Sequence, residues 1–384
     1  MISAFSFIDQ LRDLGYSQYA GVPCSFLTPL INYVIGDPTL NYVGATSEGE
    51  SVGITFGAFL AGRKTVTMCQ NSGLGNMVNP LTSLNYPFRV PTLLIVTWRG
   101  QPEVKDEPQH ELMGKITHRL LETLEIPCLP FPGSESEIAK TMEQAEISME
   151  KRKRPFALVM QKGAVAPHPL SGRLECKSIK TDLRGDLSGN EHERLTRTMA
   201  IELILDALAG DEAIIATTGK TGRELFTISD RANHLYVVGG MGTASAIGFG
   251  VAHTLPKQPV VVIDGDGAAL MKLGVLATVG CYQPSNLLHI ILDNEAHDST
   301  GGQQTASGIV RFAAVAAAAN YRSAFAADRP EEIRKAVRLL RHRPGPSLLH
   351  IKIQPGSSEK LGRPTVKPHE VKERFSQFLS SNVK

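Results

Sequence analysis

Apolar residues along this chain fall into short runs that alternate with longer stretches in which they recur at every third or fourth position. The first spacing predicts strands and the second helices. Phe5, Phe7, Ile8, Leu11 and Leu14 lie at helical spacing, and residues 19–22 then enter a strand that breaks at Pro23. A helix near 26–35 and a short strand at 40–43 come next. Glu48 opens EGESVGITFGAFLAG, small residues at helical spacing whose glycines lower intrinsic helix stability, so that close packing must compensate. Further strands are predicted at 63–69, 93–97 and 156–160. From 168 to 194 the apolar periodicity disappears and Ser, Gly, Pro and charges dominate, which reads as a linker. A helix near 196–209 and strands at 213–217, 235–238, 260–263, 287–292 and 347–353 complete the pattern. The expected fold class is α/β, with two doubly wound, mainly parallel-sheet domains at 1–167 and 195–384 joined by the 168–194 linker.

Composition narrows the class without naming a partner. A 42% hydrophobic and 20% charged chain with formal net charge +2 is an ordinary globular protein, with no global pull toward nucleic acid or an anionic membrane. The one basic cluster, KRKR at 151–154, precedes a strand and reads as a solvated loop. Five cysteines, widely spaced and without CxxC, indicate neither a disulfide framework nor a zinc site, so a reducing cytoplasm is expected. No run of signal-peptide or membrane-spanning character occurs, and neither membrane nor nucleic acid is expected as a partner.

Candidate chemistry concentrates in 260–305. The strand 260–263 ends in Asp264, Gly265, Asp266 and Gly267, and the strand 287–292 ends in Asp293 and Asn294, with a helix-length segment starting near Ala268 between them. A strand–helix–strand unit with parallel pairing brings both loops to the carboxyl edge of the sheet, where α/β proteins place ligands. Asp266 and Asn294 then offer hard oxygen ligands for Mg²⁺ or Ca²⁺, beside glycines that let an anion approach a helix N-terminus. The combination suggests a metal-bound diphosphate. GDG by itself is equally a tight turn; the second strand, its Asn and the STGGQ loop make the difference.

These residues resemble the signature of the thiamine diphosphate-dependent decarboxylase family. The resemblance covers nearly the whole chain and implies a pyrimidine-binding first half and a diphosphate-binding second half, with no middle domain. GVPCS, TSEGE, QNSGLGN, KDEPQH and DNEAHDSTGGQ most resemble the phosphonopyruvate decarboxylases, with the sulfopyruvate decarboxylases next. On that resemblance, Asp266, the Asn294 side chain and the Ala296 carbonyl would ligate Mg²⁺, although Asp293 stands where many relatives have Asn. It implies that Glu48, nine residues before Gly57, would hold its carboxyl against N1′ of the aminopyrimidine, with burial raising its pKa; Glu50 does not fit that spacing. Met241 would wedge between the cofactor rings, and the Gly239 carbonyl would accept from the 4′-amino group. Thr218, Gly219, Lys220 and Thr221 would bind phosphate, as would Gly265, Gly267 and Ala268. Ser25 matches a substrate-contacting Ser, or else caps a helix. Gln70, Asn71, Lys105, Gln109, Ser299 and Thr300 lie in loops expected at the substrate, and His297 and His110 are candidates for proton transfer. The implied reaction is non-oxidative decarboxylation of 3-phosphonopyruvate in phosphonate biosynthesis, by a homo-oligomer, at least a dimer, whose subunits share each site. Sulfopyruvate or another 3-substituted 2-keto acid is the alternative substrate, and acetolactate-type carboligation a further one. A nicotinamide dehydrogenase would use Gly240, Gly242 and Asp264, but its fingerprint fails at Ser245. A cofactor-binding protein without catalysis would not need Glu48.

Overall fold

Contacts divide the chain into two units, Met1–Leu174 and Glu175–Lys384. The computed structural model describes residues 1–172, 176–185, 187, 194–358 and 361–382. In the first unit, β1 (Tyr16–Gly21), β2 (Asn41–Gly44), β3 (Lys64–Gln70), β4 (Leu93–Thr97), β5 (Cys128–Pro130) and β6 (Phe156–Met160) form one sheet in the order β2-β1-β3-β4-β6-β5. Every pairing in it is parallel. Alternate residues face opposite sides of a strand, and here both sides are apolar. Leu93, Ile95, Phe156 and Leu158 pack with Phe7, Leu11, Leu30 and Met142. Leu94, Val96, Ala157 and Val159 pack with Val52, Leu74, Met77 and Leu121 on the other side. The continuous apolar runs are therefore the signature of a sheet covered by helices on both faces. β5 was not expected, because three residues ending in Pro carry no periodic signal.

The second unit repeats the plan with β7 (Asp182–Arg184), β8 (Ala213–Ala216), β9 (His234–Tyr236), β10 (Val260–Gly265), β11 (Leu287–Asp293), β14 (Ser323–Ala327) and β15 (Ser347–Lys352). Their order is β7-β14-β15-β11-β10-β8-β9, again parallel throughout. A separate antiparallel hairpin joins β12 (Ala296–His297) to β13 (Gln303–Gln304). Two glycines with left-handed backbone, Gly301 (φ 117°) and Gly302 (φ 81°), make its turn. β14, SAFAA, escaped the sequence reading because its small residues lack the β-branched bias of a strand.

Three expectations are corrected. The 168–194 stretch is not a free linker throughout. Within it, β7 pairs with β14 as an edge strand, the Ile179 amide donates to Asn320 (2.8 Å), and His168 accepts from Asn32 (2.8 Å). Backbone pairing and a few side-chain caps dock this polar chain, neither of which needs apolar periodicity. Cys176 and Cys281 are disulfide-bonded across 105 residues, a pairing that spacing cannot reveal because docking creates it. Lys151 and Arg152 belong to the last turn of the helix Glu135–Arg152, where cations complement the helix dipole, and Arg154 stacks 3.6 Å from the Tyr86 ring. No helix among the described residues is long and apolar enough to cross a membrane.

The interior of the second unit is sensitive to acid. His234, on the edge strand β9, is fully buried, with Nδ1 3.0 Å from the Ser229 carbonyl and Nε2 lacking a partner. Burial pushes its pKa down to about 4, with the nearby Arg231 and Arg374 acting in the same direction against the Ser229 carbonyl and Asp230. The unfolded chain therefore takes up a proton near pH 6.5 that the folded chain refuses until about pH 4, so stability falls as pH drops through that window. Unfolding free energies from urea titrations between pH 7.5 and 4.5 are expected to decline less steeply in His234→Asn than in the parent, by roughly 1 kcal/mol per pH unit below pH 6. Equal slopes would show that His234 is not responsible.

Candidate active site

The two units each carry a polar cluster at the carboxyl edge of their sheet. In the second unit the chain leaves β8 toward β9 on one side and β10 toward β11 on the other. The crevice between β8 and β10 is thus a topological switch point, the usual ligand position in such sheets. Thr218, Gly219, Lys220 and Thr221 after β8 line a cleft there, together with Gly265, Asp266, Gly267 and Ala268 at the end of β10. Met241, Asn294, Ala296, His297 and Ser299 line the same cleft. Gly219 (φ 95°) turns the chain into the helix Lys220–Ile228, and a side chain there would stand in open space. Gly267 has no such room, since a Cβ would lie 2.7 Å from the His297 ring. Gly239 and Thr300 do not line the cleft; Thr300 instead closes the hairpin turn, donating to the His297 carbonyl (3.2 Å) and Gln303 (2.9 Å).

Asp266 and Asn294 are each held by hydrogen bonds from the loops around the cleft. One oxygen of Asp266, Oδ2, accepts from the hydroxyls of Thr305 and Ser307. Asn294 donates its amide to Asp298 (2.6 Å), and its side-chain oxygen accepts a long contact from the Ala296 amide (3.4 Å). Between Asn294 and Ala296, Glu295 adopts a left-handed backbone (φ 59°), a costly conformation for a residue with a side chain and one concentrated at functional sites. Among the described residues no cluster of three His, Cys, Asp or Glu side chains could hold a metal unaided. One carboxylate oxygen, one amide oxygen and a backbone carbonyl instead suit a hard cation whose shell an anionic ligand completes. Burial raises the pKa of Asp266, and the Asp293 charge adds to that, while the Thr305 and Ser307 hydroxyls oppose it.

Asp293 is not a neutral stand-in for the usual Asn. It is fully buried, and burial pushes its pKa up. Hydrogen bonds from His350 (2.8 Å), Lys352 (2.8 Å) and Ser307 (2.7 Å) outweigh that and hold it below the ordinary carboxylate range. Lys352 is its register partner on β15, so the exchange of Asn for Asp is matched by a cation on the adjacent strand. Asp264, the residue a dinucleotide site would aim at a ribose, is fully buried and out of reach.

Sequence reasoning missed Arg197. It is buried and bridges Glu224 (3.0 Å) and Asp298 (2.5 Å), the carboxylate that holds Asn294. Removing one member of a buried ionic network leaves uncompensated charge. Arg197→Met is expected to destabilise the chain by about 3–5 kcal/mol in urea unfolding. A loss below about 1 kcal/mol would place the network at the level of surface pairs.

In the first unit, Glu48 begins the helix Glu48–Leu60, whose N-cap Ser47 accepts from the Glu50 amide. This helix packs against β1 and β3 with almost every residue buried. Asn76 donates to Glu48 Oε2 (2.7 Å), and Gly73 lies so close that a Cβ there would stand 2.5 Å from Glu48 Oε1. Glu48 is half-buried, so the burial expected of it is not present in the single chain. Glu50 is buried and accepts from the Thr46 amide (3.1 Å) and hydroxyl, a local capping role.

Ser25 does not cap the helix Thr28–Gly36, whose N-cap is Leu27; it is exposed and meets Arg99. Gln70 accepts from Cys24 and donates to Ser72 (2.6 Å). Asn71 is fully buried, its amide braced on the Arg99 carbonyl (2.8 Å) and Thr117 (2.9 Å). Its side-chain oxygen lacks a hydrogen-bond partner. Lys105 and Gln109 are exposed, whereas His110 is buried with Nδ1 lacking a partner. Arg99 and Asp106, also overlooked, form a bidentate pair that holds the Asp106 carboxyl well below the usual range.

Comparison with known proteins finds family matches in both units. Residues 2–119 match the family model described as thiamine pyrophosphate enzyme, N-terminal TPP binding domain, and residues 218–351 match its C-terminal TPP binding domain. Phosphonopyruvate decarboxylase of Streptomyces viridochromogenes is 45% identical over 99% of this chain and 96% of its own length. Sulfopyruvate decarboxylase of Methanosarcina acetivorans is 30% identical over 97% and 96%. The crystal structure of benzoylformate decarboxylase from Polynucleobacter necessarius shares the fold at 12% identity, with a TM-score of 0.73 over 93% of this chain and all of that one. With a full-length relative at this identity and both binding domains matched, the chain belongs to the thiamine pyrophosphate enzyme family.

Proposed function

We propose that the chain decarboxylates 3-phosphonopyruvate to phosphonoacetaldehyde and CO₂ in phosphonate biosynthesis, using thiamine diphosphate and Mg²⁺. The observation that carries this reading is the full-length likeness to a phosphonopyruvate decarboxylase, at 45% identity against 30% for a sulfopyruvate decarboxylase. When bound, the cofactor supplies the electron sink that accepts the pair left by departing CO₂. The chain's own residues position and protonate. Asp266, Asn294 and the Ala296 carbonyl would hold Mg²⁺, and Thr218 to Thr221 with Gly265 and Gly267 would receive the diphosphate at the switch point. Met241, on the wall of that cleft, would set the cofactor's bend. Glu48, kept in place by Asn76, would hold a proton at N1′ of the pyrimidine. His297, in the cleft, and His110, with an unpartnered ring nitrogen, are the groups offered for proton transfer.

Sulfopyruvate is the second reading, favoured by the 30% relative and by the close likeness of the two oxyanions. CO₂ release from phosphonopyruvate, sulfopyruvate and pyruvate at equal enzyme decides between them. Phosphonopyruvate is expected to give the highest kcat/KM, with free aldehyde and no acyloin as the product. A higher value for sulfopyruvate would replace the substrate assignment, and acyloin would replace the reaction class. We also take the active unit to be a homo-oligomer, at least a dimer, in which Glu48 of one subunit serves the Asp266 cleft of another.

A further inference from the structure

At the carboxyl edge of the first unit's sheet, Arg99 lies two residues beyond β4 and its guanidinium is fixed on several sides. Asp106 accepts from Nε (2.7 Å) and Nη2 (2.5 Å), and is itself held by the amides of Gly100 (2.8 Å) and Glu107 (2.9 Å). The Phe26 ring lies 4.9 Å from the guanidinium carbon. The Arg99 carbonyl is pinned by Asn71 (2.8 Å). A guanidinium has five N–H donors, and Asp106 engages two. Of the rest, Nη1 makes a long contact to the exposed Ser25 hydroxyl (3.4 Å), and the Cys24 thiol, a weak acceptor, is the other group beside it. The outer fork is thus oriented and under-used, beside an exposed hydroxyl on the loop after β1. A brace for the loop 100–110 would need only the Asp106 half of the guanidinium.

An oriented fork with a neighbouring hydroxyl is the geometry that recognises a tetrahedral oxyanion. Resting on the substrate class proposed above, we propose that Arg99, oriented by Asp106 and assisted by Ser25, binds the 3-phosphonate of the substrate and sets the preference for 3-substituted keto acids over pyruvate. The other oxyanion of such a substrate, its carboxylate, is a poorer occupant. It loses its charge on leaving as CO₂, so a strong cation on it would stabilise the ground state more than the transition state.

Two measurements on the full chain loaded with thiamine diphosphate and Mg²⁺ test this. In the first, Arg99→Gln is expected to lower kcat/KM for phosphonopyruvate about 100-fold, chiefly through KM, and to leave pyruvate turnover within about 3-fold. Arg99→Lys, which keeps the charge and loses the fork, should fall between. A parallel loss on both substrates would overturn the assignment in favour of the carboxylate, and no loss on either would also overturn it. In the second, methylphosphonate is titrated by calorimetry and does not require turnover. The parent is expected to bind it at least 10-fold more tightly than Arg99→Gln, with thermal midpoints compared to confirm that the variant is folded. Equal binding, or none by the parent, overturns the proposal. A parent that binds methylphosphonate through Arg99 yet prefers sulfopyruvate would refute only the substrate reading, since the sulfonate would then occupy the same fork.

Discussion

Replacing Glu48 by glutamine is expected to lower kcat by about 10²–10⁴-fold while leaving the fold and cofactor retention intact. The side chain is half-buried at the first position of the helix Glu48–Leu60, so removing its charge strips no core contact. An amide can still accept from Asn76, which preserves the position of the group and changes only its ability to give and take a proton. Hydrogen–deuterium exchange at C2 of bound thiamine diphosphate, followed by NMR, is the direct readout, and it should slow along with turnover. Normal exchange in the variant would remove Glu48 from the chemistry. Glu50→Gln is the control. Because Glu50 is buried and caps the backbone at Thr46, its loss should appear in the thermal midpoint and spare the exchange rate.

Asp266→Asn is expected to abolish retention of the cofactor through gel filtration and with it nearly all turnover, yet to raise the thermal midpoint of the cofactor-free chain. The two effects share one cause. Burial and the nearby Asp293 charge raise the Asp266 pKa, so without a cation its ionised form costs stability at neutral pH. An asparagine still accepts from Thr305 and Ser307 but carries no charge to neutralise, and none to offer Mg²⁺. A variant that keeps its cofactor would break the metal assignment. Mixed with Glu48→Gln subunits, the same variant tests the shared site, since a hybrid dimer would contain one intact site and one doubly altered one. Activity should return on exchange. If exchange is demonstrated by mass and activity does not return, the sites are not shared between subunits.

Much of this protein was legible without coordinates. Apolar runs such as residues 93–96 and 260–263 report sheets buried on both faces, because only a strand covered on both sides can be apolar at consecutive positions. Asp266 and Asn294 could be paired from sequence alone, since parallel strands joined by a crossover deliver their ends to one edge. Glu48 stood out through its spacing to Gly57. Local signals of this kind depend on neighbours in the chain and survive without the fold.

Tertiary structure decided the residues that act through others. Arg197 orients Asp298 from 101 positions away, His350 answers Asp293 across 57, and Cys176 meets Cys281 across 105. Nothing in the spacing of such residues marks them, because the partner is set by which strands become neighbours. The same holds for Arg99, whose fork is defined by an Asp in its own loop and a Ser 74 positions earlier, on strand ends that the sheet order gathers at one edge. It also separates Glu48 from Glu50, two carboxylates at one helix start. One is turned toward Asn76 and left usable, and the other is consumed by the backbone, a distinction made by side-chain direction and burial.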